Sequence, residues 1–152
     1  MDNIPKNDSG HGPGDPWPAA LSYWRDLRAE EFDQERMKEV ATFVATISST
    51  IPEWRRAAKG DAAAAIGLVL PCKPPERIGI KVDMPMTTLL SCAFDNAAAA
   101  FVLSHKLRTM PLDHLHRTRL ATSWLVHNLW LGRRSFARRA FPPNPFDEGE
   151  AP

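Results

Sequence analysis

Residues 60–70 read GDAAAAIGLVL, and residues 95–107 read DNAAAAFVLSHKL. In each stretch two turn-forming residues precede four alanines and then a burst of larger apolar side chains. Aspartate and asparagine accept the free N–H groups of a helix's first turn, and alanine is the strongest helix former, so both stretches read as capped helix starts. Small side chains at the start also let a neighbouring helix approach closely. Asp61 and Asn96 lie 35 residues apart, an offset found in helical repeat units. Two αα-hairpins follow from this reading, at 50–83 and 85–118, with a last helix at 112–140 closing the stack.

Upstream of the first alanine run, PEWRRAAKG (residues 52–60) reads as a two-turn helix closed by Gly60, a residue suited to the left-handed position after a helix. In unit length the two hairpins resemble tetratricopeptide-type repeats. The pattern departs from that family at the aromatic positions: Trp54 is matched by Leu89 in the second unit, and no tyrosine follows in either. An irregular bundle whose helices start in alanine is the alternative. Both architectures are all-α: a small irregular helical bundle, or stacked αα-hairpins.

Further out, Trp17, Leu21 and Trp24 recur at helical spacing, with Pro18 fitted to a first turn and Leu27 extending the stripe. Met37, Val40, Val44, Ile47 and Ile51 form a second stripe, out of phase with the first, which places a break near Ala29–Phe32. Pro52 ends that helix or opens the next. In RIGIKVDMP (residues 77–85), Ile78, Ile80 and Val82 alternate with Gly79, Lys81 and Asp83, the pattern of extended backbone, here read as a connector. Met84 to Arg108 is one long helix or two, with a turn at Asp95-Asn96. From Leu112 to Ala140 the chain is helical again, with Leu120, Trp124, His127 and Leu131 along one side and a break at Gly132 before RRSFARR.

Of 14 prolines, four precede residue 19 and four follow residue 141. Residues 1–16 and 141–152 are therefore expected to be disordered tails flanking a helical domain at 17–140. No basic start followed by an apolar stretch marks a secretory leader, and no apolar run reaches the roughly 20 residues of a membrane span. A cytoplasmic protein is expected. Cys72 and Cys92 show no CxxC spacing and read as reduced, buried thiols.

The net charge of +1 conceals an asymmetry. Between His105 and Ala140 there are eight basic residues and one acid; the remainder holds 11 basic and 17 acidic residues. Charge separated in this way concerns partners more than fold. Arg117, Arg119, Arg133, Arg134, Arg138 and Arg139, with Trp130, are the candidate contact residues, for protein or for phosphate.

Catalytic and metal signatures are missing. There is no G-x-S-x-G and no P-loop, and Gly10-His11-Gly12-Pro13-Gly14 has neither the preceding strand nor the following helix of a dinucleotide fingerprint. His114 and His116, two residues apart, face different sides of a helix, and Cys72, Cys92, His105 and His127 lack zinc-site spacing. The expectation is a non-enzyme without cofactor or metal. A helix-turn-helix centred on Gly132 fails, because Arg133 and Arg138 fall where apolar residues must pack. A looser phosphate grip survives, with Trp124 or Trp130 as stacking platforms. Against it stand pairing with EEFDQE (residues 30–35) in the same molecule or in a second copy as a homo-oligomer, and docking on an acidic protein. A membrane-surface role suits the basic helix less, because its apolar positions spread around the helix. The sequence thus points to a non-catalytic helical protein–protein interaction module, an adaptor, chaperone-like or regulatory subunit, and secondly to a helical subunit of a nucleic-acid-associated complex.

Overall fold

The computed structural model describes residues 18–140, and the expected terminal tails and Trp17 lie outside them. Among the described residues the fold is all-α, seven helices packed together without a strand. They are α1 (Tyr23–Asp26), α2 (Gln34–Thr46), α3 (Trp54–Ala58), α4 (Ala62–Val69), α5 (Ile80–Ala93), α6 (Ala97–Leu107) and α7 (His114–Ala140), with 3-10 turns at Ala19–Leu21 and Ala29–Glu31.

The two alanine runs form α4 and α6, and their caps match. Asp61 Oδ1 accepts from the Ala64 N–H at 3.0 Å, and Asn96 Oδ1 accepts from the Ala99 N–H at 3.0 Å. Gly60 adopts φ +99°, the left-handed turn expected of it between α3 and α4. The third and fourth alanines of both runs (Ala64, Ala65, Ala99, Ala100) are buried. Small side chains do permit close approach: Ser104 of α6 donates to the Ala121 carbonyl of α7 at 2.6 Å.

The equivalence of the two units stops at the caps. The helix before the first run, α3, has five residues, and the one before the second, α5, has 14. The hairpin boundary expected at 83–85 falls inside α5, and the extended connector expected at 77–85 is wrong beyond Gly79. From Ile80 the backbone is helical, with Asp83, Met86, Thr87 and Leu90 buried at helical spacing. Asp83 hid that phase: a carboxylate stands where the helix faces the core. Residues Met86–Leu90 are buried on every side, which makes α5 the central helix, packed by α1, α2, α3, α4 and α6.

Two other expectations need correction. The stripe 37–51 is helical only to Thr46; Ile51 lies in a bend and is exposed, because Ser49 Oγ accepts the Ile51 N–H at 3.1 Å and offers the backbone an alternative to helix. Gly132 does not break the last helix, and α7 runs unbroken for 27 residues. An isolated helical glycine costs only about 1 kcal/mol, and arginines, leucines and alanines around it are good helix formers. At the N-terminal end, Leu21 and Trp24 are buried as the stripe required, but on a 3-10 turn and a four-residue helix rather than one continuous helix.

A buried polar link joins the ends of this core. Asp83 accepts from Trp24 Nε1 at 2.8 Å and from Arg25 Nε at 3.2 Å, fixing α1 against the first turn of α5. α7 is an outer helix, covering α6 and touching α1 and the Ala29–Glu31 turn.

Candidate functional site

The basic tract lies on α7, which at 1.5 Å per residue is about 40 Å long. One face holds it to the bundle. Leu120, Ala121, Trp124 and Leu131 are buried there, the stripe expected from sequence with Ala121 added. Polar anchors flank them. His127 Nε2 donates to the Phe94 carbonyl at 2.7 Å, and Asn128 Nδ2 to the Ala97 carbonyl at 2.7 Å, so α7 grips the turn between α5 and α6. His116 Nε2 donates to the Arg25 carbonyl at 2.7 Å, which binds the end of α1. A carbonyl only accepts, so Nε2 is a donor in both imidazoles.

The opposite face carries a second apolar stripe. Leu115, Val126, Leu129 and Phe136 are between 57% and 71% exposed. They share one alternating four-and-three register along the helix, the spacing of a coiled-coil seam. Arg119, Thr122 and Arg133 occupy the remaining positions of that register, and all three are exposed. Past Leu131 the helix leaves the bundle: every residue from 132 to 140 is exposed.

The candidate residues divide between these faces. Arg117 is half-buried on the inner flank, where Nη1 donates to the Met110 carbonyl at 3.0 Å and Nη2 meets His114 Nδ1 at 3.3 Å. Arg119, Arg133, Arg134, Arg138 and Arg139 are exposed, and none pairs with a carboxylate among the described residues. Acidic side chains of the 30–39 segment turn instead to nearby arginines. Arg28 reaches Glu31 at 3.0 Å and Glu30 at 3.4 Å, and Arg36 reaches Asp33 at 3.5 Å. The Arg28 guanidinium also holds the Glu31 carboxyl below its ordinary pKa.

Trp130 is 52% exposed and sits on the edge of the outer stripe. Its ring stacks on His127, with centroids 5.8 Å apart and planes 28° apart, and the Arg134 guanidinium lies over it at 5.1 Å. Trp130 thus already has neighbours from its own helix at i−3 and i+4. Trp124, the other expected stacking platform, is fully buried against Phe32 and His127.

Sequence reasoning missed the outer stripe. The signal was present as the four-and-three register of Leu115, Val126, Leu129 and Phe136, but two apolar faces on one helix look like apolar residues scattered all round it. It also missed the pair Arg25–Asp83, whose members lie far apart in the chain.

Elsewhere, a small recess of about 40 Å³ between the α4–α5 connection and α6 opens to solvent beside Lys73, Lys81, Met86 and Lys106. Lys106 Nζ donates there to the Cys72 carbonyl at 3.0 Å, just past the end of α4. Both cysteines are free thiols, but only Cys92 is buried as expected; Cys72 falls past the end of α4, in the connection to α5, and is exposed, while burial raises the pKa of Cys92. Among the described residues no three His, Cys, Asp or Glu side chains group as metal ligands, and no helix is long and apolar enough to cross a membrane. No protein-family model, no curated protein and no solved structure matches this chain, so α7 and its two faces carry the functional argument alone.

Proposed function

We propose that this chain is a non-catalytic helical interaction module, an adaptor or regulatory subunit, that docks on another protein through the outward face of α7 and its basic end. The observation that carries this reading is the exposed stripe of Leu115, Val126, Leu129 and Phe136 on a helix whose other face already completes the core. Single exposed apolar side chains are ordinary on a protein surface, whereas four in one helical register form a contact face. A non-catalytic role is supported by the buried carboxylate: Asp83 is taken up by Trp24 and Arg25. Two free thiols suit a reducing, cytoplasmic setting.

A phosphate grip by Arg133, Arg134, Arg138 and Arg139 is the second reading, favoured by their exposure. It gains little from the aromatics, because Trp124 is buried and Trp130 is engaged by His127 and Arg134. A photo-crosslinking amino acid at position 129, introduced in the native host, separates the two. Protein adducts at 129, absent when the same probe replaces exposed Thr42 on α2, support the docking reading. Nucleic-acid adducts alone, or none at 129, overturn it.

A further inference from the structure

We infer that the outward face of α7 receives an acidic amphipathic helix of a different protein. This rests on the docking reading above and deepens it by naming the partner's chemistry. Leu115, Val126, Leu129 and Phe136 occupy four of the seven positions of a register that alternates four and three residues along one continuous helix, which matches the repeat of a partner helix lying alongside. An extended strand or a flat surface has no such period.

Charge selects among the occupants. Arg119 and Arg133 stand within the stripe, and Arg134, Arg138 and Arg139 continue past it. A second copy in parallel register would set Arg133 against Arg133. An antiparallel copy centred between Val126 and Leu129 would bring the four-arginine end alongside Arg119. Both pairings place like charges across a contact, which is destabilising. Docking of α7 onto the acidic 30–39 face of a second copy fails on different grounds: α2 presents no large exposed apolar side chain there to meet the stripe. A helix with leucine-like residues at its seam and carboxylates on the flanks satisfies both the apolar stripe and the arginines. The long arginine stems would cover the edge of the seam while their heads pair with those carboxylates.

The test uses the full chain and two labelled synthetic helices of about four heptads, each with leucine at the seam, one flanked by glutamates and the other by lysines. Fluorescence anisotropy should show saturable binding of the glutamate helix, at least about tenfold tighter than the lysine helix, and weakening as salt rises. Leu129→Glu should weaken it by more than about tenfold, as for a central interface residue, while circular dichroism stays unchanged because position 129 is exposed. Equal binding of the two helices, or binding of neither, overturns the inference. So does a dimer of the full chain that Leu129→Glu dissolves, which would make the occupant a second copy. A labelled single-stranded oligonucleotide bound more tightly than the glutamate helix would overturn it in favour of nucleic acid. If only the variant Asp147→Asn, Glu148→Gln, Glu150→Gln binds the glutamate helix, the chain's own acidic end is the occupant and the inference falls. Protein adducts at position 129 without binding of the glutamate helix would sink this inference and leave the docking reading standing; no adducts would sink both.

Discussion

Replacing Asp83 with alanine removes the one buried carboxylate among the described residues and strands two donors, Trp24 Nε1 and the Arg25 guanidinium. The side chains of Arg25 and Asp83 are only 15% and 12% exposed, so solvent cannot replace the lost partner well. Breaking such a pair from one side costs about 3–5 kcal/mol. Slight exposure argues for the lower end, and the orphaned indole N–H adds about 1 kcal/mol. About 4 kcal/mol is therefore expected for Asp83→Ala, which for a chain of this size lowers the melting temperature by roughly 8–16 °C. Asp83→Asn keeps an acceptor for both donors and loses only the charge, at about 1–2 kcal/mol. Replacing both ends, as Arg25→Met with Asp83→Leu, removes the desolvated charges together and should return stability to within about 2 kcal/mol of wild type. Urea denaturation followed by circular dichroism of wild type, these three variants and the single changes Arg25→Met and Asp83→Leu gives the values needed. If Asp83→Ala costs less than about 1 kcal/mol, or if the double variant is as unstable as the two single changes added, the link between α1 and α5 is not the clamp inferred from its geometry.

Trp124→Ala should cost about 3–5 kcal/mol by opening a cavity in a fully buried site. Trp124→Phe should come within about 1 kcal/mol of wild type by thermal melting, since the indole N–H it deletes has no partner and its removal offsets the lost volume. Asn96→Ala should cost about 1 kcal/mol through the lost cap of α6. Asp61 caps α4 and also pairs with Arg56, and both contacts lower its carboxyl pKa. Its contribution is thus full above the ordinary aspartate range and is lost as pH falls through the depressed value; an Asp61→Asn chain should lose less stability than wild type between neutral pH and strong acid. A thiol reagent at neutral pH should label Cys72 at once and Cys92 only after unfolding, because burial both shields Cys92 and raises its pKa; equal rates would place Cys92 at the surface.

Elements specified locally were legible in the sequence. Asp61, Asn96 and Gly60 act through the few residues around them, so the starts of α4 and α6 and the turn before α4 followed from the letters. The inner stripe of α7 was legible for the same reason. The start of α5 was not, because its core-facing Asp83 is satisfied by Trp24 and Arg25, 59 and 58 positions earlier. Alternation over six residues then outweighed a helical phase that one buried carboxylate had interrupted. The candidate site was half legible: charge composition marked α7, whereas the outer stripe became separable only once burial showed which apolar residues the core had used.

The emergence of α7 from the bundle has a consequence for how its free end stays ordered. A detached segment of nine residues would be almost entirely coil in water, because nucleating the first helical turn is unfavourable. Residues 132–140 avoid that penalty, since the helix is already nucleated where Leu120 and Trp124 are packed, and they need only propagate it. Gly132 is the poorest propagator at the point of departure, and a Cβ there meets nothing within 4 Å. Gly132→Ala should therefore slow amide exchange along the arm by several-fold, for about 1 kcal/mol of propensity, without touching the core. The arm is in effect a helix–coil equilibrium seeded from the folded domain, and anything that pairs with it would draw that equilibrium toward helix.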